Sequence, residues 1–199
     1  MTEYVGKFEK VPFEQFYSDM IKLCSADQDC SEDTIKKLIE KAYKSIVLPK
    51  RSTSGSAGYD FCIPFDLHLL MGDVVVIPTG IRCKLDSDYF LNIVPRSGLG
   101  FKYRVSLANT NGIIDSDYYG ADNYGHIMIK IVYEGCYEPQ PLNKLVLNSE
   151  RGFSKYKTTT LDFKAADRFV QGIILKYGLA EEEENNNKRT GGFGSTGLE

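Results

Sequence analysis

The sequence predicts an all-β domain, built as a sandwich, barrel or jelly roll, with a helical block inserted near its N-terminus. Three observations carry this. From residue 46 onward, short apolar runs recur between turns such as Met71-Gly72-Asp73 and Pro78-Thr79-Gly80, the spacing of many short strands. Thirteen Tyr and eleven Phe, among many Val and Ile, suit pleated and half-buried surfaces. A strong 3.6-residue apolar period occurs only between residues 13 and 45.

In chain order, residues 4–10 alternate weakly and predict a first strand. Phe13, Phe16, Tyr17, Met20, Ile21 and Cys24 then fall at helical spacing. Ser31 followed by Glu32 and Asp33 is an N-cap with acids in the first turn, and Ile35, Leu38, Ile39 and Ala42 mark one face of a second helix ending near Ser45. This block is expected to pack on the outside of the fold. Residues 46–49 read as a short strand and 51–58 as a Ser/Gly-rich loop. Strands are expected at 60–70, 73–78, 81–85, 89–94, 105–107, 112–114 and 126–133. The stretch 134–156, with Pro139, Pro141, Asn148 and Gly152, breaks the rhythm and reads as an inserted loop or hairpin. Strands resume at 158–163 and 169–175. The organisation expected is one domain over 1–180, with insertions at about 11–45 and 135–156, and a polar C-terminal arm over 181–199.

An apolar content of 42% and a net charge of −3 predict a soluble globular protein without a nucleic-acid surface. No apolar run is long enough to cross a membrane and no signal peptide is visible, so a cytoplasmic location is expected. The five cysteines, Cys24, Cys30, Cys62, Cys83 and Cys136, are odd in number and lack zinc-site spacing, and His68 and His126 stand alone. They read as reduced thiols.

Five stretches carry chemistry. Ser54-Gly55-Ser56-Ala57-Gly58-Tyr59-Asp60 is a small-residue loop that lets backbone approach a ligand, with a carboxylate able to hold a metal-bound water. Pro95-Arg96-Ser97-Gly98-Leu99-Gly100 puts a guanidinium, a hydroxyl and glycine N–H groups on one turn, a set that matches phosphate oxygens. In the stretch from Asn109 to Gly120, Asn111-Gly112 suits a tight hairpin whose tip can read the edge of a base. Asp115 follows two apolar residues where the strand leaves the core, a place for a general base toward water. Asp167-Arg168-Phe169-Val170-Gln171 opens the last strong strand. The tail Gly191-Gly192-Phe193-Gly194-Ser195-Thr196-Gly197 combines pliant backbone, hydroxyls and one flat ring behind Lys188 and Arg189, parts suited to closing over a phosphorylated, base-bearing ligand. Each stretch alone also fits an ordinary turn, a solvated edge or a Gly/Ser tail.

Their order is the specific signal. The sequence resembles the trimeric dUTP pyrophosphatase (dUTPase) family, whose five ordered motifs are matched by residues 54–61, 95–100, 112–120, 167–171 and 191–197. The resemblance implies a distorted β jelly roll, a homotrimer with shared active sites, and hydrolysis of dUTP to dUMP and pyrophosphate with Mg²⁺ carried mainly on the triphosphate. It implies Asp115 as the carboxylate that deprotonates the attacking water and Tyr118 as the ring under the deoxyribose. Asn109 and the backbone to Gly112 match the uracil reader. Arg96, Ser97, Gly98 and Gln171 match the phosphate contacts, Asp60 the carboxylate near the metal-bound water, and Arg168 a supporting residue. Phe193 matches the ring stacked on uracil, with Gly194 in the same arm and Ser195 and Thr196 on the terminal phosphates.

The chain departs from the family pattern in a few places. Lys188-Arg189-Thr190 replaces the usual Arg-Gly run before the paired glycines, so either Arg189 or Lys188 takes the γ-phosphate. Ala166 stands where Gly usually precedes the acid-Arg pair, and Tyr119 where a polar residue is frequent. The 135–156 insertion is a candidate docking surface for a protein partner. A dCTP deaminase of the same fold, and a nucleotide-sensing binding protein, are the alternatives.

Overall fold

In the computed structural model, residues 4–23, 31–137, 156–158 and 160–181 are described. The central sheet has five antiparallel strands in the order β2 (Lys50–Arg51), β3 (Tyr59–Cys62), β14 (Arg168–Lys176), β7 (Tyr89–Pro95) and β9 (Gly112–Ile114). A second sheet orders β5 (Val74–Pro78), β10 (Met128–Tyr133) and β8 (Val105–Leu107). Three two-stranded ribbons complete the β structure. They are β1 (Gly6–Lys10) with β6 (Ile81–Leu85), β4 (Leu67–Leu70) with β13 (Thr160–Phe163), and β11 (Cys136–Tyr137) with β12 (Tyr156–Thr158). Alternation fixes the faces: in β10, Ile129, Ile131 and Tyr133 are buried while Lys130 is exposed.

The helices are α1 (Phe13–Leu23), α2 (Glu32–Ser45) and α3 (Ser97–Tyr103). Ser31 caps α2, its Oγ accepting the Thr34 N–H at 3.3 Å, which satisfies one of the donors a helix start leaves over. Leu38 is 57% exposed, whereas Ile39 and Ala42 face inward.

The inner face of the helical block belongs to the main core. Phe16, Ile39, Ala42 and Ile46 fall in one buried cluster with Phe61, Leu91, Ile129 and Phe169. The Tyr43 hydroxyl donates to the Val11 carbonyl at 2.7 Å, and the Phe16 and Tyr43 rings lie 5.6 Å apart. The turn beneath the block requires glycine: Gly80 has φ +69°, and a Cβ there would overlap Ile46.

Several expectations change. Residues 46–49 form no strand, because Ile46 closes α2, its N–H donating to the Tyr43 carbonyl at 3.3 Å. The run 60–70 breaks at Ile63 and Pro64, where the chain turns a corner from the central sheet into the β4–β13 ribbon. The return strand turns the same corner alongside it. Ile63 N–H donates to Asp167 O, Ala166 N–H donates to Ile63 O, both at 2.8 Å, and Asp66 accepts the Ala165 N–H. The run 126–133 is strand only from Met128. Residues 95–100 are not a simple turn, since Ser97 opens α3. The middle of the second insertion, residues 138–155, and the arm beyond 181 lie outside the described residues, as do the side chains of Cys24, Cys30 and Cys136. Cys62 and Cys83 are free thiols, and burial pushes Cys83 up to about 12. Among the described residues no helix is long and apolar enough to cross a membrane.

The deepest polar contact joins the helical block to the sheets. Asp19 of α1 receives His126 Nδ1 at 2.7 Å, and Gln15 Nε2 reaches the same oxygen at 2.7 Å, while Lys22 lies 3.3 Å from the other. Gly80 N–H donates to His126 Nε2 at 2.8 Å, so that nitrogen keeps its lone pair and Nδ1 carries the proton. Burial alone would raise the Asp19 carboxyl, but the hydrogen bonds from His126 and Gln15 outweigh it and hold it at about 2.

This depressed carboxyl contributes stability that is complete above its ordinary value near 3.8 and is lost as pH falls toward 2. Denaturant unfolding should lose about 2 kcal/mol over that window through Asp19, and Asp19→Asn should flatten that part of the acid limb. The corner yields a second expectation. Ala166 holds φ +73°, a left-handed conformation that costs an L-residue about 1–2 kcal/mol. Ala166→Gly should therefore raise the denaturation midpoint by about 0.5–1 kcal/mol of stability after the greater backbone freedom of unfolded glycine is subtracted.

Candidate active site

Sheet order gathers four of the five sequence motifs. β3 carries the end of the first, β14 the fourth, β7 leads into the second, and β9 lies within the third. Chain order one, two, three, four becomes spatial order one, four, two, three across neighbouring strands. The register is specific: Gln171 lies opposite Asp60 on one side and Val94 on the other, and Gly112 lies opposite Ile93.

Asp60 is the hub of a polar cluster at this end of the sheet. Its side chain is 11% exposed and ion-paired to Arg96 Nε and to Arg168 Nη1, each at 3.1 Å. Ser52 Oγ also donates to it at 2.6 Å, and Arg168 Nη1 reaches Ser52 Oγ at 3.0 Å. Both carboxylate oxygens are therefore engaged by side chains. Gln171 Nε2 points to Pro95 O at 3.5 Å. The small residue at 58 serves this cluster: a Cβ on Gly58 would run into the Gln171 amide. Arg96 is extended (φ −70°, ψ 135°) and immediately precedes α3. The first amides of α3, on Ser97 and Gly98, are of the kind a helix leaves without an internal acceptor. Around Gly98 a Cβ would meet nothing within 4 Å.

The third motif is not a hairpin. β8 hydrogen-bonds to β10 and β9 to β7, so the chain between them crosses from one sheet to the other. Thr110 takes φ +66° to make the crossing, Thr110 N–H donates to Leu107 O, and Asn111 Nδ2 bonds Asn92 Oδ1 at 3.0 Å. The two sheets diverge here and leave a cavity of about 410 Å³. Asn109, Gly112 and Tyr118 border it, with apolar walls from Ile93 and Ile129, and Lys130 at its edge. Arg96, Ser97, Gly98, Asp60 and Gln171 do not border it.

Asp115 comes directly after β9, half-buried and extended, and starts a short 3₁₀ turn over Ser116–Gly120. Tyr118, in this turn, is 4% exposed, and its hydroxyl donates to the His126 carbonyl at 2.8 Å and accepts from Asn123 Nδ2 at 2.7 Å. Tyr119, the unusual residue of this motif, fixes the turn from the other side. Its hydroxyl donates to Glu9 at 2.7 Å and its ring lies 4.4 Å from the Arg82 guanidinium carbon. Hydrogen bonds from Tyr119 and then Lys7 hold the Glu9 carboxyl down at about 2.

Among the described residues no three His, Cys, Asp or Glu side chains cluster as a metal cage. Arg189, Lys188, Phe193, Gly194, Ser195 and Thr196 lie outside the described residues. Sequence reasoning missed Ser52, Asp19 and His126. Asp19 had a legible signal, being an acid placed between Phe16, Met20 and Leu23 on the apolar stripe of α1. Ser52 had none, because its partners lie 8 and 116 residues away.

The comparisons agree with this geometry. Residues 44–136 match the family model described as dUTPase. The deoxyuridine 5′-triphosphate nucleotidohydrolase of Lactococcus lactis subsp. lactis is 33% identical over 155 residues, covering 76% of this chain and 89% of that protein. The enzyme of the same name from Burkholderia mallei is 33% identical over 153 residues, covering 75% and 88%. The crystal structure of the dUTPase from Streptococcus mutans superposes with a TM-score of 0.53 at 26% identity, covering 70% of this chain and 91% of that one. With four of the five motifs gathered on one sheet and a third of the sequence shared along nearly the full length of these relatives, the chain belongs to the dUTPase family.

Proposed function

We propose that this chain hydrolyses dUTP to dUMP and pyrophosphate, which would limit uracil in DNA and supply dUMP for dTMP synthesis. The observation that carries the reading is the cavity between the two diverging sheets. It is bordered by Asn109, Gly112, Tyr118 and Ile114, the residue before Asp115, beside the sheet that also bears the Asp60–Arg96–Arg168 cluster.

In this reading the uracil edge meets Asn109 and the crossing backbone, and a thymine methyl is rejected by size. The deoxyribose packs on Tyr118, leaving no space for a 2′-hydroxyl. Asp115 orients and deprotonates a water for attack on the α-phosphorus, and pyrophosphate leaves. Arg96, Ser97, Gly98 and Gln171 hold phosphate oxygens and offset the growing charge. Asp60, with Ser52 and Arg168, orients the Arg96 guanidinium. The described side chains offer one carboxylate in this cluster, and both of its oxygens are engaged, so Mg²⁺ suits the triphosphate oxygens, where it neutralises charge, and meets Asp60 only through water. The base cavity and the phosphate cluster have no lining residue in common, which fits a homotrimer whose sites combine surfaces of neighbouring subunits. In the tail, Arg189 or Lys188 takes the γ-phosphate, Phe193 stacks on the base, and Gly194, Ser195 and Thr196 close on the phosphates.

The test is pyrophosphate release from dUTP with Mg²⁺, beside dTTP, dCTP and UTP. Turnover should be confined to dUTP, and Asp115→Asn should lower kcat at least ~100-fold with the fold intact. Equal turnover by Asp115→Asn would remove it as the base, and ammonia release from dCTP would replace the reading with a deaminase. Gly98→Ala separates binding from folding. Open space around Gly98 and its place in α3 predict unchanged or slightly raised stability, by up to about 1 kcal/mol. A higher KM for dUTP is expected, because the added methyl keeps phosphate from the backbone. An unchanged KM would place the phosphates elsewhere.

A further inference from the structure

A continuous buried polar chain runs from the helical block to the wall of the cavity. Asp19, on α1, is bonded to His126 Nδ1 at 2.7 Å. His126, with its side chain fully buried, is bonded through Nε2 to the Gly80 N–H at 2.8 Å. The His126 backbone carbonyl in turn accepts the Tyr118 hydroxyl at 2.8 Å, and Asn123 Nδ2 bonds the same hydroxyl at 2.7 Å. The next residue, Ile127, borders the cavity beside Tyr118. Thr79 secures the far side: its Oγ1 donates to the Ile127 carbonyl at 2.7 Å.

We infer that Asp19 is a positioning residue for substrate discrimination: through His126 it holds Tyr118 against the sugar subsite and so sets how strictly the enzyme rejects a ribose 2′-hydroxyl. The inference rests on the reading of Tyr118 as the residue under the deoxyribose. The physical case is one of constraint. Rejection of one hydroxyl by shape needs a wall that cannot retreat, because a ring that shifts slightly admits the extra atom. Packing alone leaves Tyr118 one face against the cavity. Its hydroxyl is tethered to the His126 carbonyl and to Asn123, and the segment bearing that carbonyl is held by an imidazole bonded on both nitrogens together with the Ile127 N–H bond to the Ile81 carbonyl. Removing the Asp19 carboxylate leaves Nδ1–H buried without its acceptor, at a cost the segment can relieve by moving. Movement of residues 126 and 127 moves both the tether and the cavity wall.

The chemistry of the pair provides its own control. Among the described residues, His126 Nδ1 and Gln15 Nε2 approach the same Asp19 oxygen, and Lys22 approaches the other. Asp19→Asn can therefore present its carbonyl oxygen to both donors and keep the chain, whereas Asp19→Ala cannot.

The experiment measures kcat/KM for dUTP and for UTP in the full-length wild type, Asp19→Ala, Asp19→Asn, Tyr118→Phe and the Asp19→Ala/Tyr118→Phe double variant. The dUTP-to-UTP ratio should fall at least ~10-fold in Asp19→Ala, mainly through improved use of UTP, and return to near the wild-type ratio in Asp19→Asn. Tyr118→Phe keeps the ring but cuts the tether, and should show a similar fall. The double variant should fall little further, because both changes break one chain. If Asp19→Ala does not fold, Tyr118→Phe decides alone, and an unchanged ratio there overturns the inference. A wild type that discriminates while Asp19→Ala and Tyr118→Phe keep its ratio also overturns the inference and leaves the dUTP reading standing. So does an Asp19→Ala that loses stability at unchanged ratio. A wild type that uses UTP as well as dUTP overturns both the reading of Tyr118 and the inference.

Discussion

The geometry of this protein depends on β14 being paired on both edges. Seven of its residues pair with β7 and four with β3, so one strand late in the chain holds together two segments that are distant in sequence, setting Asp60 and Val94 on either side of Gln171. Such pairing closes long loops, and its entropic cost must be offset by the surface it buries. Phe169 and Val170 meet that requirement, being almost fully buried beside Phe61 and Leu91. The ladder is irregular between Arg168 and Val170, where the adjacent Phe169 and Val170 are both buried, and a slip of one residue beyond that point would carry Gln171 away from Asp60 and Val94. The hydrophobic register that stabilises the sheet is therefore also what aligns the polar groups.

The polar cluster shows the same economy. Asp60 is mostly covered yet stays bonded to two guanidiniums and a hydroxyl. An unpaired carboxylate in that position would be costly, and two arginines without it would repel each other. The pairing fixes the Arg96 head while leaving its side chain 32% exposed, so a planar donor fork can meet an incoming anion without first being ordered.

Much of this was legible in the sequence, and the parts that were not have a common cause. Strands such as β5, β6 and β7 are visible because apolar alternation and turn residues are local signals. The α2 cap is visible because Ser31, Glu32 and Asp33 are adjacent. Of the motif residues within the described chain, Asn109, Gly112 and Tyr118 meet at one cavity, and Asp60, Arg96 and Arg168 at one cluster. The errors occur where a non-local contact outweighed local pattern. Residues 60–70 read as one strand although Pro64 is a local breaker, and the bonding of Ile63 to Asp167 across the corner is a non-local contact that the pattern does not show. Asn111-Gly112 reads as a hairpin because turn chemistry says which residues bend, not which strands pair afterwards. Ala166 shows the reverse case: its left-handed φ is the conformation for which glycine is the usual choice.

The helical block was expected to be an outer addition, yet its inner face lies in the main core. Phe16 is as buried as the strand residues it meets, and an apolar face of this kind would have been enough to dock the helices. Asp19 does not follow from docking alone. A carboxylate placed on the apolar stripe must be stripped of water, and a well-packed aliphatic residue there would serve stability as well or better. What an aliphatic residue cannot do is fix direction. Dispersion contacts tolerate small rotations of the partner, whereas a hydrogen bond weakens steeply once its angle fails. The Asp19–His126–Tyr118 chain places directional contacts in series where the block meets the cavity wall. The polar choice at position 19 thus accepts a desolvation cost in exchange for orientation, where the helical block meets the cavity wall.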